Sequence, residues 1–222
     1  MTTLLSFLRF FLHLDAYLNI FIQQFGAWTY IIIFLIIFCE TGLVVTPFLP
    51  GDSLLFAAGA FAAVDSLNIW WLLASLIVAA ILGDAVNYWI GHTLGQKAFS
   101  GKYERFFKKE YLERTQGFYL KYGAKTIVLA RFLPILRTFA PFVAGIGSMP
   151  YGTFLAYNVL GSVAWVLLFA GGGYLFGNVP FVKEHFSLVV IGIVILSILI
   201  GVGEYVRVRV RGLKDETIHD KN

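Results

Sequence analysis

Residues 41–64 read TGLVVTPFLPGDSLLFAAGAFAAV, an apolar stretch interrupted by two prolines, three glycines and Asp52. The apolar pieces on either side of Pro50-Gly51-Asp52 are roughly ten to twelve residues long. A helix needs about 20 residues to cross a bilayer, so neither piece spans alone. Two short arms around a Pro-Gly break predict a re-entrant hairpin over 41–64. Such backbone is tolerated at bilayer depth only where protein buries it or a wet cavity lies beside it.

The same pattern returns in residues 126–149, TIVLARFLPILRTFAPFVAGIGSM, which Arg131, Pro134, Arg137 and Pro141 interrupt. A second re-entrant hairpin is expected there. Outward from the two broken segments lie unbroken apolar runs. Four spanning helices are expected, over 27–39 with its flanks, 66–95, 151–177 and 186–203. Trp28, Tyr30, Trp70 and Trp71 stand at run ends, where aromatic belts form.

Composition agrees with a membrane chain. Of the 222 residues, 59% are hydrophobic and 14% are charged, with a mean hydropathy of +0.78. A soluble domain has about 25% charged residues. Cys39 is the one cysteine, which excludes an internal disulfide and a cysteine-based zinc site; it reads as a small buried hydrophobe. The histidines are scattered, no H-E-x-x-H or G-x-S-x-G occurs, and no cofactor or metal is expected.

Charge placement sets the orientation. Of 17 Lys and Arg, eight lie between Lys97 and Lys125 and five between Arg207 and Lys221. Both clusters belong on the cytoplasmic side by the positive-inside rule. With no soluble basic domain, membrane lipid rather than nucleic acid is the partner to expect. The 222 residues therefore read as one membrane domain. Residues 1–25 form an amphipathic interfacial helix, and 26–95 a first half with hairpin 41–64. Residues 97–125 form a cytoplasmic amphipathic segment, 126–206 a second half with hairpin 126–149, and 207–222 a basic tail. Both termini fall on the cytoplasmic side.

The halves repeat. Phe48-Leu49-Pro50 recurs as Phe132-Leu133-Pro134, Ala57-Ala58-Gly59 as Val143-Ala144-Gly145, and Gly91 to Gly95 as Gly173 to Gly177. Charge placement makes the first hairpin enter from outside and the second from the cytoplasm. The fold class expected is all-α, an inverted repeat with two facing broken segments. Many secondary transporters are built so, with the site at the midplane.

Glu40, Asp52, Asp84, Arg131 and Arg137 are charges in apolar surroundings. Each costs about 2.5–3.5 kcal/mol at the bilayer centre, so pairing or water must offset it, and function is the default reading. The plain alternative is that Glu40 or Asp52 pairs with Arg131 or Arg137 only to lock the hairpins together. Asp84, with Asn87 and Tyr88, reads equally well as a helix-packing hydrogen-bond network. Two guanidinium groups around Pro134 suit a phosphate, which Arg binds bidentately. A carboxylate beside them can take up a proton and release its arginine, which would couple movement to a proton gradient.

Three signatures carry a family resemblance. Glu40-Thr-Gly followed by Pro47-Phe-Leu-Pro-Gly-Asp52 is the first, Gly83-Asp84 with Tyr88 and Gly91 the second. Arg131-Phe-Leu-Pro-Ile-Leu-Arg137 with Pro141 and Gly145 is the third. Together they resemble the DedA family of the VTT-domain superfamily, over nearly the whole chain. The resemblance implies a multi-pass protein of the bacterial inner membrane linked to lipid translocation. It points to undecaprenyl phosphate recycling and to use of the proton motive force. The essential membrane-embedded positions of the family match Glu40, Asp52, Arg131 and Arg137. Substrate contact is thus expected at Arg131, Arg137, Pro134, Pro50 and Gly51, and proton coupling at Glu40 and Asp52. Asp84, Asn87, Tyr88, Pro141 and Gly145 would support them. The expected partners are a polyprenyl phosphate or phospholipid and protons, and an oligomer is left open. A proton-coupled antiporter of small cations or drugs is the competing function. A scaffold for membrane assembly is a further one. A lipid phosphatase lacks the histidine nucleophile that would have to stand beside the arginines.

Overall fold

The computed structural model describes residues 24–43, 51–64, 66–99, 123–186, 188–193, 195–196 and 199. The expected interfacial helix 1–25, the segment 97–125 and the tail 207–222 lie wholly or largely outside them, and the last span 186–203 lies partly outside; its described residues are helical. Pro47 and Pro50 also lie outside.

The described elements are all helical. They are α1 (Trp28–Gly42), α2 (Gly51–Ala63), α3 (Ile69–Phe99), α4 (Lys125–Ala130), α5 (Pro134–Ile146), α6 (Tyr151–Val166), α7 (Gly172–Phe176) and α8 (Pro180–Glu184). A π-helical turn, Leu167–Gly171, joins α6 to α7 without a break. Two of these helices are long and apolar enough to cross a membrane, Ile69–Leu94 and Tyr151–Phe176, each 26 residues. At 1.5 Å per residue each reaches about 39 Å.

The first expected span differs. α1 is a single helix of 15 residues that runs through Glu40 to Gly42. Thr41 and Gly42 therefore close the first helix and do not open a second segment. Leu43, which follows, is extended, and the next described helix, α2, begins at Gly51. In the second half α4 ends at Ala130, residues 131–133 turn, and α5 restarts at Pro134. Proline suits the first helical position, because its missing N–H has no intrahelical partner there.

Local chemistry fixes the start of α3. Asn68 Oδ1 accepts from the N–H groups of Trp70 (3.0 Å) and Trp71 (3.2 Å), which makes Asn68 its N-cap. The Asn68 N–H donates to Tyr30 Oη at 2.6 Å, tying α1 to this end of α3.

α3 and α6 run antiparallel. Tyr151, at the start of α6, packs 5.4 Å from the Tyr88 ring late in α3, and Asn158 donates to the Ile81 carbonyl one step earlier. Against this pair the short helices press closely at glycines. A Cβ on Gly59 of α2 would collide with the Ala170 carbonyl, and one on Gly173 with the Phe56 carbonyl. In the other half a Cβ on Gly145 of α5 would collide with the Tyr88 carbonyl, and one on Gly91 with the Phe142 carbonyl. The two sets correspond, Gly59 with Gly145, Phe56 with Phe142, Ala170 with Tyr88 and Gly173 with Gly91.

The radial distribution of side chains is inverted relative to a soluble fold. Val78, Leu82, Val86 and Trp89 form an exposed stripe on α3, while Asp84 and Asn87 on the same helix are buried. An apolar exterior over a polar interior is what a hydrocarbon solvent selects.

Candidate functional site

The site grows from the ends of short helices. α1 ends in Glu40-Thr41-Gly42, all buried. α2 begins at Gly51, whose N–H donates to Glu40 Oε1 at 3.2 Å. A Cβ at Gly51 would collide with the Glu40 carboxylate, so glycine alone permits this approach. Asp52 follows in the first turn of α2, where a carboxylate also faces the helix N-terminal dipole.

Arg137, in the first turn of α5, clasps both carboxylates. Its Nη2 donates to Glu40 Oε1 at 2.5 Å and its Nη1 to Asp52 Oδ1 at 2.7 Å. These contacts join α1, α2 and α5. Glu40 is 0% exposed and Arg137 4%, so neither charge meets lipid or bulk water.

Arg131, from the turn after α4, makes a separate pair. Its Nη2 bonds Asp84 of α3 and donates to Asn158 Oδ1 of α6 at 2.8 Å. Asn158 in turn accepts from Ser162 Oγ at 3.2 Å. Asp84 is therefore an ion-pair partner, not a member of the expected amide and phenol network. A carboxylate this deep beside a guanidinium would be costly in any other arrangement.

Asn87 and Tyr88 do serve helix packing. Asn87 Nδ2 donates to the carbonyls of Thr41 (3.1 Å) and Thr138 (2.7 Å). The first belongs to the last turn of α1, whose carbonyls lack intrahelical partners. The second lies in α5, three residues before the buried Pro141. Tyr88 Oη donates to the Met149 carbonyl at 2.5 Å. Gly145 permits the close crossing of α5 over α3. Pro134 opens α5, and Cys39 is half-buried.

One residue unites the two ion pairs, and the sequence reading missed it. Trp165 of α6 is fully buried, and its Nε1–H donates to Asp52 Oδ1 at 2.9 Å. The guanidinium carbon of Arg137 lies 4.9 Å from its ring centroid, and that of Arg131 lies 5.7 Å away. Asn158, Ser162 and Trp165 share one stripe of α6. A signal was present, because Trp165 sits mid-span, away from the run ends where interfacial tryptophans gather. A buried indole N–H requires an acceptor.

Four buried polar atoms within these pairs lack a hydrogen-bond partner: Glu40 Oε2, Asp84 Oδ1, Arg131 Nη1 and Arg137 Nε. Three carboxylates face two guanidinium groups, which leaves an excess of one negative charge when all are ionised. Among the described residues no group of three His, Cys, Asp or Glu side chains is arranged to hold a metal.

The VTT domain matches residues 49–175, which hold Asp52, Asp84, Arg131, Arg137 and Trp165. Protein DedA of Escherichia coli K12 is 54% identical over 200 residues, covering 89% of this chain and 91% of that protein. The chain belongs to the DedA family. Within the family, a membrane protein of Mycobacterium leprae is 43% identical over 164 residues, 74% of this chain and 73% of its own. The inner membrane protein YghB of E. coli K12 is 34% identical over 173 residues, 76% and 77% of the two chains. No solved structure matches the chain. This DedA-family chain is thus a membrane protein, as its relatives are named.

Proposed function

We propose that this chain moves a lipid with an anionic phosphate headgroup, such as undecaprenyl phosphate, across the bacterial inner membrane. The Arg137 cluster would be the headgroup site. One observation carries the reading. Two buried guanidinium groups flank one ring, and each keeps an N–H without a partner, at Arg131 Nη1 and Arg137 Nε. Buried donors of this kind are satisfied by a ligand or water, and guanidinium geometry suits phosphate.

The surrounding fold supports movement rather than static binding. Antiparallel spans with matched glycine contacts are what an inverted repeat would present, with α1–α2 and α4–α5 as facing broken segments. In this mechanism Arg137 exchanges its carboxylates for phosphate. Proton uptake by Glu40 or Asp52 removes the excess negative charge and leaves Arg137 held by one carboxylate, which a phosphate can then displace. The gradient then biases the exchange toward one face.

The test is headgroup accessibility of undecaprenyl phosphate in liposomes holding the purified chain, native against Arg137→Ala. Movement by the native chain and at least a tenfold slower rate in the variant is the expected result. An imposed pH gradient should convert equilibration into net accumulation in one leaflet. If neither protein moves the lipid although both insert and fold, the polyprenyl-phosphate reading fails.

The excess of carboxylates favours a second reading, exchange of a small cation for protons at Glu40 and Asp52. Removing both arginines while keeping the carboxylates separates the two. Lipid movement would be lost under the first reading, and cation exchange would survive under the second.

A further inference from the structure

Trp165 has no role in the signatures that point to the site, yet it is the described side chain that touches both halves of it. Its N–H holds Asp52, and its ring lies 4.9 Å from the guanidinium carbon of Arg137 and 5.7 Å from that of Arg131. Those arginines have different counter-ions on different helices, Glu40 and Asp52 for one and Asp84 for the other. Like charges beside one another repel. A shared π system within about 6 Å of both attracts each and limits how far they separate.

Consider Arg137 leaving its carboxylates for a phosphate. Glu40 then keeps the Gly51 N–H as a donor, and Asp52 keeps the indole N–H. The Arg137 guanidinium loses both anchors except the ring beneath it. That ring does not need to move, because Phe169 packs edge-on against it and it is fully enclosed.

We propose that Trp165 is the positioning residue of the phosphate site. Its ring fixes the spacing of the two guanidinium groups, and its N–H holds Asp52 while Arg137 is engaged elsewhere. The inference rests on the phosphate reading and adds a division of labour to it. The ring governs affinity for the anion, and the N–H governs the return of Arg137 to Asp52.

The two functions separate in two variants. Trp165→Phe keeps a ring and removes the N–H. Its affinity for undecaprenyl phosphate, measured in nanodiscs, should stay within about threefold of native, while the transport rate in liposomes falls about tenfold. Trp165→Leu removes both, and its affinity should fall about tenfold or more, in line with the loss of two cation–π contacts. A third measurement is independent of whether these variants fold well. Trp28, Trp70, Trp71 and Trp89 are exposed and can be changed to Phe, leaving Trp165 as the sole tryptophan. Adding undecaprenyl phosphate should then change its emission, because a charged group leaves or joins its face. Affinity and rate falling by equal factors in the two variants would mark Trp165 as packing only and overturn the proposal. So would unchanged emission while the native chain binds the lipid. If the native chain binds no lipid phosphate, the functional reading itself fails, and the positioning role falls with it.

Discussion

The two arginines are not equivalent at the level of single residues. Arg131 is held by one carboxylate and a side-chain amide on the two long spans, whereas Arg137 is shared between carboxylates on the two short helices. The first arrangement resembles a lock and the second an exchangeable clasp. A lock has a testable energetic signature. Breaking a buried pair from one side leaves an uncompensated charge and costs about 3–5 kcal/mol, while apolar replacement of both partners is near neutral. Asp84→Leu and Arg131→Met singly should therefore each lower the unfolding temperature in detergent, and the double variant should recover most of the loss. Additive losses in the double variant would refute the lock. The sequence displayed all five charges but could not pair them. Glu40 meets Arg137 across 97 positions and Asp84 meets Arg131 across 47. Side-chain spacing along one helix says nothing about such distances. Asp84 looked like a packing residue because Asn87 and Tyr88, which are packing residues, lie on the next turn.

Glycine placement decides how the elements fit together. Gly59 and Gly173 let α2 cross the end of the second span, and Gly91 and Gly145 let α5 cross the end of the first. Gly171 and Gly172, in and after the π-helical turn, face open space. The same substitution thus has opposite expected effects at neighbouring positions. Alanine at Gly59, Gly91, Gly145 or Gly173 forces a backbone shift, and overpacking of this kind costs about 1–3 kcal/mol. Alanine at Gly171 or Gly172 meets nothing and should be neutral or stabilising by up to about 1 kcal/mol through helix propensity. Thermal unfolding of the six variants checks this, and a marked loss at Gly172 with none at Gly173 would contradict the packing described. The element breaks were largely legible. Pro134 was read as an interruption and proves to be the first residue of α5, and the span expected from 66 starts at Ile69 behind its Asn68 cap. The end of α1 was misplaced because Glu40 looks like the edge of a span. In the fold it is buried inside, paired to an arginine that no local pattern reveals.

At the scale of the whole molecule, antiparallel α3 and α6 put the segments that precede them at opposite ends. Ser66 precedes α3 and Ser148 precedes α6, and both are exposed. If the halves are inverted about the membrane plane, these two serines stand on opposite sides of the bilayer. The basic residues between Lys97 and Lys125 orient the whole, since they favour the cytoplasm. With the end of α3 nearest them on the cytoplasmic side, the expectation is Ser66 outside and Ser148 inside. Cys39 is the sole native thiol, so its replacement by Ala gives a clean background for single cysteines. A charged maleimide that does not cross membranes should label Ser66→Cys in cells with a permeable outer envelope. It should label Ser148→Cys only after the inner membrane is opened. Labelling of both from one side would contradict the inverted arrangement. Without it α1–α2 and α4–α5 would not face each other across the bilayer. Arg137, which joins α5 to both α1 and α2, would then be a fastener within one leaflet. Opposite labelling would place that clasp between elements entering from the two faces, where exchanging its partners changes which face reaches the site.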